Sequence, residues 1–149
     1  MIAADRRNYV IDASVILKWF SQAGESDLDK ALQLREDFRE RNIDLYAPEL
    51  LIYEIANVLR YKKILNEDII HKAISSIYDM EILMPVNAGI MTQAVTIARQ
   101  YHITVYDSSY LGFAQSVGCH LITADKKLYQ KIKELPGIIF VSDYFPEKK

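Results

Sequence analysis

Apolar positions along this chain fall into two alternating patterns. Short apolar runs recur at 9–11 ("YVI"), 43–46 ("IDLY"), 81–86 ("EILMPV"), 102–106 ("HITVY"), 120–123 ("HLIT") and 137–141 ("GIIFV"). Each reads as a brief strand. Between them, apolar residues return every three or four positions, the period of a helix with one buried face. That spacing predicts helices over 15–20, through Leu28, Ala31, Leu32 and Phe38, over 48–63, through Ile69, Ala73 and Ile77, over 88–101, through Tyr110, Leu111 and Ala114 to Val117, and over 126–133. End signals agree with the spacing. Ser14 stands as a cap for the first helix, Ser26 and Asp29 form an S-x-x-D box, Pro48 and Glu49 suit a first turn, Asn66 caps the next helix, and Gly118 stops a later one.

Strands alternating with helices predict an α/β domain around a mostly parallel sheet. The runs are short and continuously apolar, as expected of strands covered on both faces. With 149 residues and no linker, repeat or low-complexity tract, a single domain spanning 1–149 is expected. In open parallel sheets, sites gather beyond the carboxyl ends of the strands. Three acids fall there on this reading: Asp12 after "YVI", Asp107 after "ITVY" and Asp125 after "HLITA". A fourth, Glu54, interrupts the apolar "LLIYEIANVLR". It lies off the core stripe of Leu51, Ile55 and Val58, on a face shared with Leu50, Asn57 and Tyr61.

Each acid has a bland explanation as a turn residue, a helix cap or a surface charge. Together they call for another. Clustered carboxylates raise one another's pKa unless a cation neutralises them. An oxygen-only set suits Mg²⁺ or Mn²⁺ better than zinc. Such an ion activates water and stabilises charge in phosphodiester hydrolysis. Ser14 and Thr123 stand beside Asp12 and Asp125 in sequence, where their hydroxyls could orient the carboxylates, and Asn57 could extend the polar face next to Glu54.

Composition changes this picture little. The chain is 50% hydrophobic and 26% charged, as in an ordinary globular protein. Its net charge of −2 argues against an electrostatically driven nucleic-acid binder. A bound metal removes that objection by bridging acidic protein to anionic substrate. Cys119 is the only cysteine and reads as a small core residue, so no internal disulfide is expected, which suits a reducing compartment. No apolar run approaches the ~18 residues of a membrane helix, and the first residues lack a signal-peptide core. A cytoplasmic location with no membrane contact follows as the expectation.

The segments "YVIDASVILKWF", "YAPELLIYEIANVLR", "ITVYDSSYLGFAQ" and "HLITADKKLYQ" together resemble the successive motifs of PIN-domain ribonucleases, above all VapC-type toxins of toxin–antitoxin pairs. The resemblance runs in order from about Tyr9 to Val141. It implies an α/β/α sandwich and Mg²⁺- or Mn²⁺-dependent endonucleolytic cleavage of RNA. The family's acids correspond to Asp12, Glu54, Asp107 and Asp125, and its hydroxyl near the last aspartate to Thr123. A homodimer and a cognate antitoxin are implied as well. One departure is Ser108 and Gly112, where alanines are common in these toxins.

Basic residues form three groups: Arg35, Arg39 and Arg41; Arg60, Lys62 and Lys63; and Lys126, Lys127, Lys131 and Lys133. The second and third lie near Glu54 and Asp125, where they could meet phosphate. The 10 tyrosines read mostly as core or interface, with base stacking as a lesser role. Trp19 and Phe20 read as core, or, if exposed, as anchors for a partner. Other phosphoryl-transfer folds fit poorly, because "DAS" has serine where a D-x-D pair is needed and only Asp12 follows the first strand. The competing reading from another class is a PIN-like module that binds RNA or protein without cutting it.

Overall fold

The computed structural model describes residues 7–146. Its centre is a five-stranded parallel sheet in the order β3-β2-β1-β4-β5. The strands are β1 (Arg7–Ile11), β2 (Ile43–Pro48), β3 (Leu83–Met84), β4 (His120–Thr123) and β5 (Ile138–Phe140). Successive residues Val10 and Ile11, or Leu121 and Ile122, are all fully buried. Both faces of the central strands are therefore covered, which is what their unbroken apolar runs anticipate.

The covering helices are α1 (Ala13–Phe20), α2 (Leu28–Arg39), α3 (Leu50–Leu59), α4 (Glu67–Asp79), α5 (Ala88–Tyr101), α6 (Val105–Val117) and α7 (Lys126–Ile132). Asn66 and Asn87 cap α4 and α5 by accepting from the Ile69 and Ile90 amides, and Gly118 ends α6 in the left-handed region at φ 69°. Trp19 is buried in the core and donates its indole N–H to the Ala31 carbonyl, tying α1 to α2. A buried Lys18 reaches Glu25 and the Ser26 carbonyl, both at 2.8 Å, and pins the turn between those helices.

Several local expectations give way. The run "HITVY" forms no strand. His102 closes α5 in the left-handed region, and Thr104 caps α6 by accepting from the Asp107 amide. The sheet ladder is complete without this segment, Tyr106 is exposed, and the hydroxyl cap prevails over β-branched propensity. Asp107 thus sits in the first turn of a helix, not at a strand end. The box of Ser26 and Asp29 does not form, since Asp27 precedes α2 with φ 55° and no side-chain cap bond. Pro48 ends β2 instead of opening α3. Ser14 lies inside α1, after Asp12, and caps nothing. Of "EILMPV", only Leu83 and Met84 pair with β2.

The topology explains where a site can open. From β1 the chain moves outward through β2 to β3, then returns to the opposite side of β1 with β4 and β5. The reversal point lies between β1 and β4. In open parallel sheets this is where the loops part and leave a crevice.

Candidate active site

Asp12 follows β1 and Asp125 follows β4, so adjacent strands deliver both to that crevice. The ladder pairs Ile11 with Ile122, and the Asp12 amide continues it by donating to the Ile122 carbonyl at 3.0 Å. Register therefore carries Thr123 to Asp12. The Thr123 hydroxyl donates to Asp12 Oδ2 at 2.9 Å, and the Ser14 hydroxyl donates to the same oxygen at 2.6 Å. Both hydroxyls also accept from the β4–α7 loop, Ser14 Oγ from the Ala124 amide and Thr123 Oγ1 from the Asp125 amide. Neither is recorded on the Asp125 carboxylate, which instead caps α7 by accepting from the Leu128 amide at 3.0 Å.

Glu54 projects from α3 and Asp107 from α6. The Tyr110 hydroxyl, one turn beyond Asp107, donates to Glu54 Oε1 at 2.8 Å. Tyr110 is almost fully buried, so its ring fixes the donor firmly. Glu54 and Asp107 border a cleft of about 570 Å³ between α3 and the start of α6, with Leu50 and Tyr53 also in its wall. Asn57 lines the same cleft, its Oδ1 accepting from Arg60 Nε at 2.8 Å.

Electrostatics links the four acids. Burial pushes the Asp12 carboxyl up to about 6; the Ser14 and Thr123 bonds oppose the rise, and Asp107 and Asp125 add to it. Glu54 rises to about 7, chiefly through burial, with Asp12 and Asp107 contributing and the Tyr110 bond opposing. Asp107 is raised by burial and then by Asp125, against Thr104 and Lys131. Asp12, Glu54 and Asp107 are thus each raised by the charge of acids on other elements, and at Asp107 Lys131 partly offsets it. Among the described residues, no three acids, histidines or cysteines form a ready-made ligand set for one ion. The fit to a divalent cation rests on the donor chemistry, all oxygen, and on the mutual repulsion of carboxylates that Lys131 offsets only at Asp107.

Comparison with known proteins gives this arrangement a context. The PIN domain family model matches residues 9–134, most of the chain and all four acids. The chain belongs to the PIN domain family. Ribonuclease VapC3 of Pyrobaculum aerophilum is 26% identical over 132 residues, covering 85% of this chain and 95% of the relative. Among solved structures, PAE2754 from the same organism aligns with a TM-score of 0.63 at 24% identity, over 91% of this chain and 92% of that one. A toxin–antitoxin complex from Klebsiella pneumoniae aligns with a TM-score of 0.62 at 14% identity, over 95% and 99%. These structural likenesses extend the PIN fold to nearly the whole chain.

Two features of this PIN domain escape a reading of sequence patterns. Tyr110 falls on an apolar helix and looks like core, and only its position three residues after Asp107 hints at the site. Among the tyrosines, Tyr9, Tyr110 and Tyr144 are buried, whereas Tyr53 and Tyr106 stand exposed in the wall of the cleft. The departures at Ser108 and Gly112 have a structural basis. Ser108 donates to the Ala94 carbonyl at 2.7 Å, and a Cβ on Gly112 would meet the Ile90 carbonyl oxygen at 3.0 Å. Both bring α6 close against α5.

Proposed function

We propose that this chain is an endoribonuclease, the toxin of a toxin–antitoxin pair, which hydrolyses RNA phosphodiester bonds at Asp12, Glu54, Asp107 and Asp125. The observation that supports the reading is the influence of these acids on one another: Asp107 and Asp125 raise Asp12, Asp12 and Asp107 raise Glu54, and Asp125 raises Asp107. Membership of the PIN domain family and the likeness to a VapC ribonuclease support it. The four carboxylates would hold Mg²⁺ or Mn²⁺. When bound, the ion supplies an activated water and neutralises charge on the phosphate.

The chain's own residues prepare that site. Ser14 and Thr123 hold Asp12 Oδ2 in one orientation, and Tyr110 does the same for Glu54 Oε1. Asp125 is fixed by its cap bond to Leu128. Because the protein is slightly acidic overall, grip on the RNA backbone falls to local cations, among them Arg60 beyond Glu54 at the end of α3 and Lys126 and Lys127 directly after Asp125. A cognate antitoxin is the expected partner and a homodimer the expected assembly. No helix of the described residues is long and apolar enough to cross a membrane.

The test is cleavage of an RNA pool by the antitoxin-free full chain. Products should form with Mn²⁺ or Mg²⁺, vanish with EDTA, and fall roughly a hundredfold or more in Asp107→Asn. Full activity in Asp107→Asn would remove the acids from the mechanism.

A further inference from the structure

The cleft beside the acids is lined differently from the acids themselves. Tyr53 and Tyr106 both border it, yet 76% and 68% of their surfaces are exposed. Large aromatic rings left in water beside a charged site are unexplained by packing. Leu50 adds an apolar wall, and Asn57 leaves its amide N–H₂ without a recorded acceptor among the described residues. One turn further along α3, the Arg60 guanidinium lies 3.7 Å over the Tyr61 ring and bonds to Asn57 Oδ1. Among the described residues no carboxylate pairs with Arg60, so its charge is oriented and free to meet an anion.

We infer that this cleft is a nucleobase subsite for single-stranded RNA: an unpaired base adjoining the scissile phosphate stacks on Tyr53 or Tyr106, and Arg60 takes a neighbouring phosphate. The inference rests on the ribonuclease reading and adds to it where the substrate is held. Three properties favour RNA over a protein segment here. Glu54 and Asp107 border the cleft, and Arg60, bonded to Asn57 of its wall, presents its guanidinium one helical turn beyond, so the scissile phosphate at the acids, a base in the cleft and a phosphate on Arg60 would follow in order. Exposed tyrosine faces accept any base, because every base has a π-face. The free amide of Asn57 can donate to a base edge. Such a site demands an unpaired nucleotide, since a duplex keeps its bases stacked on one another.

The experiment uses the full chain and 12-nucleotide single-stranded homopolymers of A, C, G and U, with duplex RNA as a control. Binding is measured with all four acids intact and Ca²⁺ in place of Mg²⁺ or Mn²⁺, so that cleavage does not consume the probe. Tyr53→Ala and Tyr106→Ala combined should weaken single-strand binding by about five- to a hundredfold per lost stack. Tyr→Phe at both positions should restore it, and a probe made abasic throughout should bind wild-type tyrosines and alanines alike. In the cleaving protein the same alanines should raise KM with little change in kcat, as loss of uniform binding requires. Unchanged RNA affinity in the double alanine variant overturns the subsite and leaves the nuclease standing. The same result with a changed sedimentation coefficient assigns the tyrosines to a protein interface and also overturns it. Absence of both binding and cleavage in the protein with all four acids overturns the ribonuclease reading, and the subsite with it.

Discussion

Asp12 accepts two hydroxyl bonds on one oxygen and still titrates near 6, so burial and neighbouring charge outweigh its hydrogen bonds. The consequence for stability has a definite sign. An acid whose pKa is raised by folding binds its proton more tightly when folded, so stability falls as pH rises from the unfolded value near 4 through about 6 for Asp12 and about 7 for Glu54. For the fully buried Asp12 the loss is on the order of 2–3 kcal/mol; half-exposed Glu54 adds less. Metal-free protein should therefore melt at a lower temperature at pH 8 than at pH 5. Mn²⁺ should restore the melting point at pH 8 and do little at pH 5, which thermal unfolding with and without EDTA will check. Tyr110→Phe keeps the buried ring but removes the donor to Glu54. It should lower kcat about tenfold with KM nearly unchanged, measured by steady-state cleavage. The acids were visible in the sequence because each breaks an apolar run. Tyr110 was not, because an aromatic residue on an apolar helix follows the core pattern.

At the scale of elements, the α5–α6 connection is instructive. Residues 102–106 have strand composition, but a left-handed His102 and the Thr104 cap turn the chain directly into α6. Short-range hydrogen bonding decided an element that residue preference misread, and it moved Asp107 from a strand end to a helix start. The site survived the misreading because a helix N-terminus reaches the same crevice. Elements with steady period were legible: α5 runs over the expected 88–101, and α4 begins just after the Asn66 read as its cap. The packing of α6 on α5 was not, since nothing in the sequence tells which glycine meets a backbone. Gly112→Ala gains helix propensity of about 1 kcal/mol, yet its Cβ would press on the rigid Ile90 carbonyl. Overpacking of this kind costs about 1–3 kcal/mol. We expect a net loss of about 1 kcal/mol, read by chemical denaturation, with the slope of the transition unchanged.

For the molecule as a whole, the order β3-β2-β1-β4-β5 makes one crevice, and the two central strands each end in an acid beside it. Fold class was legible because buried parallel strands and amphipathic helices have different periods. Strand order, which sets the reversal between β1 and β4, left no local mark. The tyrosine-lined cleft was equally hidden, since exposure depends on how α3 and α6 meet. On the proposed reading, what unites the site is shared charge among four acids held on separate elements, with a divalent ion as its counter-charge. The most direct measurement is a Mn²⁺ titration of the full chain followed by electron paramagnetic resonance. Bound Mn²⁺ should be displaced by Mg²⁺ and lost in both Asp12→Asn and Asp107→Asn while each variant stays folded. Failure of the protein to bind Mn²⁺ at millimolar concentration, or equal binding in both variants, would contradict the proposed site.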